Sequence, residues 1–84
     1  MLLHTSDQSF DQLNETFALK CMFFYLPGCM ICKLLEQYLL EVVQEIVVIK
    51  IDVIYCPQLV SNFCVTEVPT IVYNDHRLIG LQNQ

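Results

Sequence analysis

The stretch from Lys20 to Leu26 restricts the possible folds more than any other part of this chain. It is short, continuously apolar from Cys21 onward and rich in aromatic side chains, which suits a strand covered on both faces. Pro27-Gly28 punctuates it, and the pattern then changes period. From Lys33 to Gln44 the residues Leu34, Leu35, Tyr38, Leu39, Val42 and Val43, with Ile46 beyond, recur as the broad apolar face of a helix. Cys29-Met30-Ile31-Cys32 lies at this junction.

The first turn of a helix leaves backbone N–H groups unpaired and carries the positive end of the helix dipole, which favours a thiolate over a thiol. A cysteine placed there can have a pKa of about 3.5 to 7.5 rather than roughly 8.5. Two intervening residues let the second sulfur reach the first within about one helical turn. Cys29 is therefore the candidate nucleophile, and Cys32 the candidate thiol that resolves a mixed disulfide formed on Cys29. The plainer alternative is that two cysteines fall at this spacing by chance and serve as small buried hydrophobes.

The rest of the chain supplies a consistent frame. Leu2-Leu3-His4 is a short apolar lead-in, and Thr5 with Gln8 offers a capping box before Phe10, Leu13 and Phe17 at helical spacing. The β-branched run Ile46 to Ile51 marks a strand closed by Asp52. Pro57 opens a further helix carrying Leu59, Val60 and Phe63, and Val65 to Val68 leads to Pro69 and a strand from Thr70 to Tyr73. Asn74-Asp75 is a hairpin turn signal before a closing strand at Leu78-Ile79. The order is β-α-β-α-β-α-β-β, which implies an α/β fold with a mixed central sheet and helices on both faces.

At 84 residues the chain is expected to form one domain over residues 1–84. Apolar residues make up 55% of it and charged residues 15%, which provides a core and argues against disorder. The formal net charge is −5, and Lys20, Lys33, Lys50 and Arg77 are the only lysines and arginines. That balance argues against a nucleic-acid or anionic-membrane surface. No apolar stretch approaches the roughly 18 residues of a membrane span, and the amino terminus lacks a basic segment followed by an apolar one. Cys21, Cys29, Cys32, Cys56 and Cys64 are odd in number, without the even framework of a stapled secreted domain. A cytoplasmic location is the expectation.

These residues together resemble the thioredoxin family, in a small form with glutaredoxin-like traits. The anchors are Thr5-Ser6-Asp7-Gln8-Ser9-Phe10, the strand running into Cys29-Met30-Ile31-Cys32-Lys33, the segment Ile49-Lys50-Ile51-Asp52, and Val68-Pro69-Thr70. The resemblance implies a cis Val68-Pro69 bond facing the dithiol, with the Val68 backbone available to an extended substrate segment and Thr70 shaping the groove floor. It also implies a thiol–disulfide oxidoreductase without an organic cofactor, acting on protein or small-molecule disulfides and served by an upstream reductase or glutathione. From Val68 to Gly80 the spacing is also similar to glutaredoxin, although only Gly80 remains of that family's glycine pair.

The departures from the family pattern are as informative. Gly28 stands where thioredoxins have tryptophan, and Met30-Ile31 where they have Gly-Pro. Phe23 falls where they bury an aspartate beneath the dithiol, so Cys32 must lose its proton to water, to a neighbour such as Glu67, or to the leaving thiolate. Slower thiol chemistry is expected. The final helix is expected to be missing or truncated, which would leave apolar surface for a homodimer or a partner protein.

Other residues carry less. Cys21 reads as core; Cys56 and Cys64, at the two ends of a helix, read as independent thiols; His4 and His76 read as exposed polar groups; and Met22 and Met30 do not make a metal site. Lys33 adds positive potential next to Cys32 or is simply solvated. Three functional classes remain open: a dithiol oxidoreductase, a soft-metal site on the single CxxC, and a redox-inactive interaction module.

Overall fold

The computed structural model describes residues 1–42, 45–74 and 76–79. Its elements in chain order are β1 (Leu2–His4), α1 (Phe10–Thr16), β2 (Lys20–Tyr25), α2 (Met30–Val42), β3 (Val47–Asp52), α3 (Pro57–Asn62), β4 (Thr70–Tyr73) and β5 (His76–Ile79). The strands form one sheet in the order β1-β3-β2-β4-β5. The apolar run singled out in the sequence is the middle strand. It pairs parallel with β3, from Lys20 opposite Val47 to Tyr25 opposite Asp52, and antiparallel with β4, with Met22 opposite Val72 and Phe24 opposite Thr70. A parallel pair cannot be closed by a tight turn, and α2 supplies the crossover between β2 and β3.

Because successive strand residues point to opposite faces, the sheet divides its apolar side chains between two clusters. Met22, Phe24, Ile49, Ile51 and Val72 meet Phe10 of α1 and Leu59 of α3. Phe63 closes this cluster, its ring edge-on to Phe10 at 5.8 Å and tilted against Phe24 at 5.5 Å. On the other face Cys21, Phe23, Val48 and Ile71 meet Cys32, Leu35 and Leu39 of α2. The expected mixed sheet with helices on both faces is thus present.

The first helix starts later than its capping signal predicts. Ser6 and Ser9, not Thr5 and Gln8, make the reciprocal pairing: the Ser6 N–H donates to Ser9 Oγ at 3.0 Å and the Ser9 N–H to Ser6 Oγ at 3.1 Å. Regular helix follows from Phe10. Asp7 is thereby released for a long-range task, accepting the N–H groups of Gln58 and Leu59 at 3.2 and 3.0 Å and so capping α3 from 51 residues away. The helix opened by Pro57 ends at Asn62, and Cys64 follows in the left-handed region with φ of 54°. Val43, Gln44, Asp75, Gly80 and the expected absence of a last helix lie outside the described residues. Among the described residues no helix is long and apolar enough to cross a membrane.

Candidate active site

The site is built where β2 hands over to α2. Leu26-Pro27-Gly28-Cys29 is a tight turn closed by the Cys29 N–H donating to the Leu26 carbonyl at 3.1 Å. Proline at its second position and a positive φ of 84° at Gly28 are the features of a type II turn. Any side chain at position 28 would strain that backbone, although nothing lies within 4 Å of where a Cβ would sit. The turn delivers Cys29 to the position just before α2, and its carbonyl accepts the first bond of the helix, from the Lys33 N–H at 3.1 Å.

The sulfur of Cys29 then does what a serine or aspartate oxygen does at a helix start. It accepts the backbone N–H of Cys32, at the third helical position, at 3.2 Å. Hydrogen bonding from Cys32, by its side chain first and then its backbone, lowers the Cys29 pKa. Cys32, by contrast, is 3% exposed. Burial, followed by its hydrogen bond to Cys29, pushes its thiol up to about 11. The two thiols, three residues apart in sequence, therefore differ in both exposure and acidity.

A cationic and an acidic side chain that sequence reasoning missed flank this pair. A pocket of about 80 Å³ is lined by Tyr25, Cys29, Cys32, Lys33, Glu36 and Lys50, among others. Inside it Lys50 Nζ lies 2.6 Å from Glu36 Oε1, with both side chains largely shielded, and 4.4 Å above the Tyr25 ring. Glu36 was legible in principle: it follows Cys32 by four residues and so shares its face of α2. Lys50 is harder to find, because a lone lysine in a β-branched run reads as the solvated side of a strand. Phe23 is fully buried in the cluster that holds Cys32, stacked on Tyr25 at 6.0 Å between ring centres. Glu67, the carboxylate proposed from sequence as a neighbour of Cys32, is exposed on the loop before β4 and lines a different groove.

That loop carries the second anchor. The Val68-Pro69 peptide bond is cis, a form essentially confined to bonds preceding proline. Val68 and Cys29 both pack against the cluster that holds Cys32. Thr70 is 1% exposed, and its hydroxyl donates to the Glu67 carbonyl at 2.6 Å, so it braces the loop from below. Beside Val68 an open groove of about 310 Å³ runs past Val53, Val60, Val65 and Thr66.

The remaining cysteines do not line the pocket beside the dithiol. Cys21 is buried in the sheet, where desolvation raises its pKa. Cys56 is also buried, its Sγ 3.6 Å from the Thr5 carbonyl, while Cys64 is exposed. Among the described residues no three His, Cys, Asp or Glu side chains converge as metal ligands.

Comparison with solved structures returns thioredoxins. The chain superposes on the reduced thioredoxin pre-protein of Schistosoma mansoni with a TM-score of 0.81 at 19% identity, covering 96% of this chain and 87% of that one. It matches a point-mutant thioredoxin of Halobacterium salinarum with a TM-score of 0.81 at 24% identity, covering 98% and 80%. For mitochondrial thioredoxin 3 of Saccharomyces cerevisiae, in its oxidised form, the score is 0.82 at 23% identity, covering 96% and 85%. At these identities the likeness speaks for the fold. No curated protein sequence matches the chain. The thioredoxin family model, however, matches residues 1–81, across the Cys29–Cys32 turn and the cis Val68-Pro69 loop alike, and the chain belongs to the thioredoxin family.

Proposed function

We propose that this protein is a thiol–disulfide oxidoreductase in which Cys29 attacks a substrate disulfide and Cys32 resolves the product. The observation that carries the reading is the Cys29 sulfur seated at the start of α2, accepting the Cys32 N–H at 3.2 Å with a lowered pKa. The Cys29 thiolate attacks one sulfur of the substrate, forming a mixed disulfide and expelling the first substrate thiolate, which takes up a proton. Cys32, once deprotonated, attacks Cys29 Sγ. The Cys29–Cys32 disulfide forms, the bond to the substrate breaks, and the second thiolate leaves. Two electrons pass from the dithiol to the substrate, and the reverse sequence oxidises a substrate dithiol.

In this reading the Val68 backbone pairs with an extended stretch of substrate, Pro69 holds that backbone toward Cys29, and Thr70 supports the loop. The substrate is a disulfide in a protein or small molecule. An upstream reductase or glutathione returns the electrons. The odd complement of five cysteines favours a reducing cytoplasm. Met30, Ile31, Leu34 and Tyr38 are all exposed along α2 and suit docking of an apolar surface, including that of a second copy in a homodimer.

The test is the pH dependence of alkylation of the reduced, folded protein, with mass spectrometry locating the modified cysteine. Fast reaction at Cys29 with an apparent pKa clearly below roughly 8.5 supports the reading. A Cys29 that reacts no faster than the exposed Cys64 overturns it in favour of a redox-inactive module.

A further inference from the structure

We infer that Glu36, held by Lys50, accepts the Cys32 proton in the resolving step through water in the pocket they share, an inference that rests on the dithiol reading above. The need for an acceptor is set by the site itself. Cys32 is buried, and burial pushes its thiol up to about 11, so it is held protonated at neutral pH. Part of that elevation comes from Cys29 and disappears once Cys29 is tied up in a mixed disulfide, but burial is the larger cause and remains. A nearby base would spare the reaction from waiting on hydroxide.

Three observations converge on Glu36. It lies one helical turn beyond Cys32 on the same face of α2. It lines the same pocket of about 80 Å³, which has room for water and polar groups to hold it. Its partner Lys50 reaches it from β3 at 2.6 Å, so the carboxylate is fixed beside the dithiol rather than swinging free. Phe23, in the cluster that holds Cys32, brings no titratable group there.

The groups that face this pocket are few enough to name. α2 contributes Cys32, Lys33 and Glu36; β2 contributes Tyr25, with the Cys21 thiol deeper in the same cluster; β3 contributes Lys50; and the turn before α2 contributes Cys29. Asp52, opposite Tyr25 in the sheet, has its Oδ1 engaged by the N–H groups of Ile54 and Tyr55. Of the carboxylates, Glu36 alone lines the pocket among the described residues.

In the mixed disulfide Cys32 Sγ–H passes its proton through water to the Glu36 carboxylate, and the thiolate attacks Cys29 Sγ. The sulfur–sulfur bond to the substrate breaks with its electron pair on the departing sulfur, which recovers a proton from Glu36 or from solvent. Lys50 is a positioning residue that acts by fixing Glu36.

The experiment is stopped-flow reaction of the reduced protein with an aromatic disulfide that releases a coloured thiolate twice, once on attack by Cys29 and once on resolution by Cys32. A Cys64→Ser background removes the exposed thiol. In the native site the second phase should be nearly flat across neutral pH, and Glu36→Gln should slow it about ten- to a hundredfold, much more than the first phase. The rate left in Glu36→Gln should then climb about tenfold per pH unit above neutral pH, up to the pKa of Cys32 in the mixed disulfide, as hydroxide takes over. Glu36→Asp should recover part of the loss, and Lys50→Gln should slow the second phase less than Glu36→Gln does. An unchanged second phase in Glu36→Gln overturns the role of Glu36 while leaving the dithiol reading intact. Should Glu36→Gln fail to fold, the native profile decides: a second phase climbing tenfold per unit from neutral pH overturns the role, and a flat one supports it. Absence of the first phase in the native site would overturn both.

Discussion

Alternate residues of the same strands face two very different environments in this protein. Under α1 and α3 the sheet presents Met22, Phe24, Ile49, Ile51 and Val72 to an apolar cluster that also holds the Cys56 thiol. Under α2 the neighbouring positions of β2, β3 and β4 present Cys21, Phe23, Val48 and Ile71, with the Lys50–Glu36 pair and the dithiol at one end. Burying a thiol that must ionise, or an ion pair, stabilises a fold little and can oppose it. The α1/α3 face is thus left to packing, while the α2 face combines packing with the charged pair and the dithiol. The division depends on strand register, since a one-residue slip of β3 would exchange Ile49 and Ile51 for Val48 and Lys50.

The sharpest way to break this comparison is to remove each sulfur in turn. Cys29→Ser should bring disulfide exchange down to the background rate, whereas Cys32→Ser should leave the first attack intact and accumulate a mixed disulfide on Cys29, seen as an added mass on the intact protein. The reverse assignment of trapping would reverse the roles of the two thiols. On the opposite face Phe24→Ala should cost about 3–5 kcal/mol by denaturant unfolding, a large share of the roughly 5–15 kcal/mol that a domain possesses. A loss under about 1 kcal/mol would remove the asymmetry between the faces.

The next effect should appear as a pH dependence of stability. Burial raises the pKa of Cys21 and Cys56, and that of Cys32 to about 11. Between the free-thiol value of roughly 8.5 and these raised values the folded state binds more protons than the unfolded one, so stability falls as pH rises. The expected loss is on the order of 1–3 kcal/mol between about pH 8.5 and 11. The lowered pKa of Cys29 acts in the opposite sense: its contribution is present above the free-thiol value and is lost as pH falls through the folded pKa. Unfolding midpoints in denaturant across this range would measure the balance. The smallest effect should come from Asp7→Ala, which removes the cap on α3 for about 1 kcal/mol. Because Asp7 belongs to the α1/α3 side, the alkylation rate of Cys29 should not change.

Much of this architecture was legible because the relevant signals are local. The apolar run before Pro27-Gly28, the β-branched run to Ile51 and Pro57 at a helix start each state their conformation within a few residues. The family resemblance added the cis bond at Val68-Pro69. What escaped sequence reading were contacts between distant segments. Asp7 could be read only as part of its own helix start, because nothing near it in sequence announces Gln58 and Leu59 as its partners. Lys50 could be read only as a strand's polar position, because its partner Glu36 approaches from another element. Glu67, the neighbour expected from sequence, lines a different groove, while Glu36 shares a pocket with Cys32 because it follows by one helical turn.

On the proposed dithiol chemistry, the seat of Cys29 at the head of α2 also couples helix stability to electron transfer. The capping bond from Cys32 N–H to Cys29 Sγ is strongest when that sulfur is a thiolate, and a disulfide sulfur is a weaker acceptor. A cap worth about 1 kcal/mol in favour of the reduced form corresponds to roughly 20 mV of reduction potential for a two-electron couple, in the oxidising direction. Substitutions in the first turn of α2 that alter only how firmly the helix begins therefore retune the voltage at which this protein gives up its electrons.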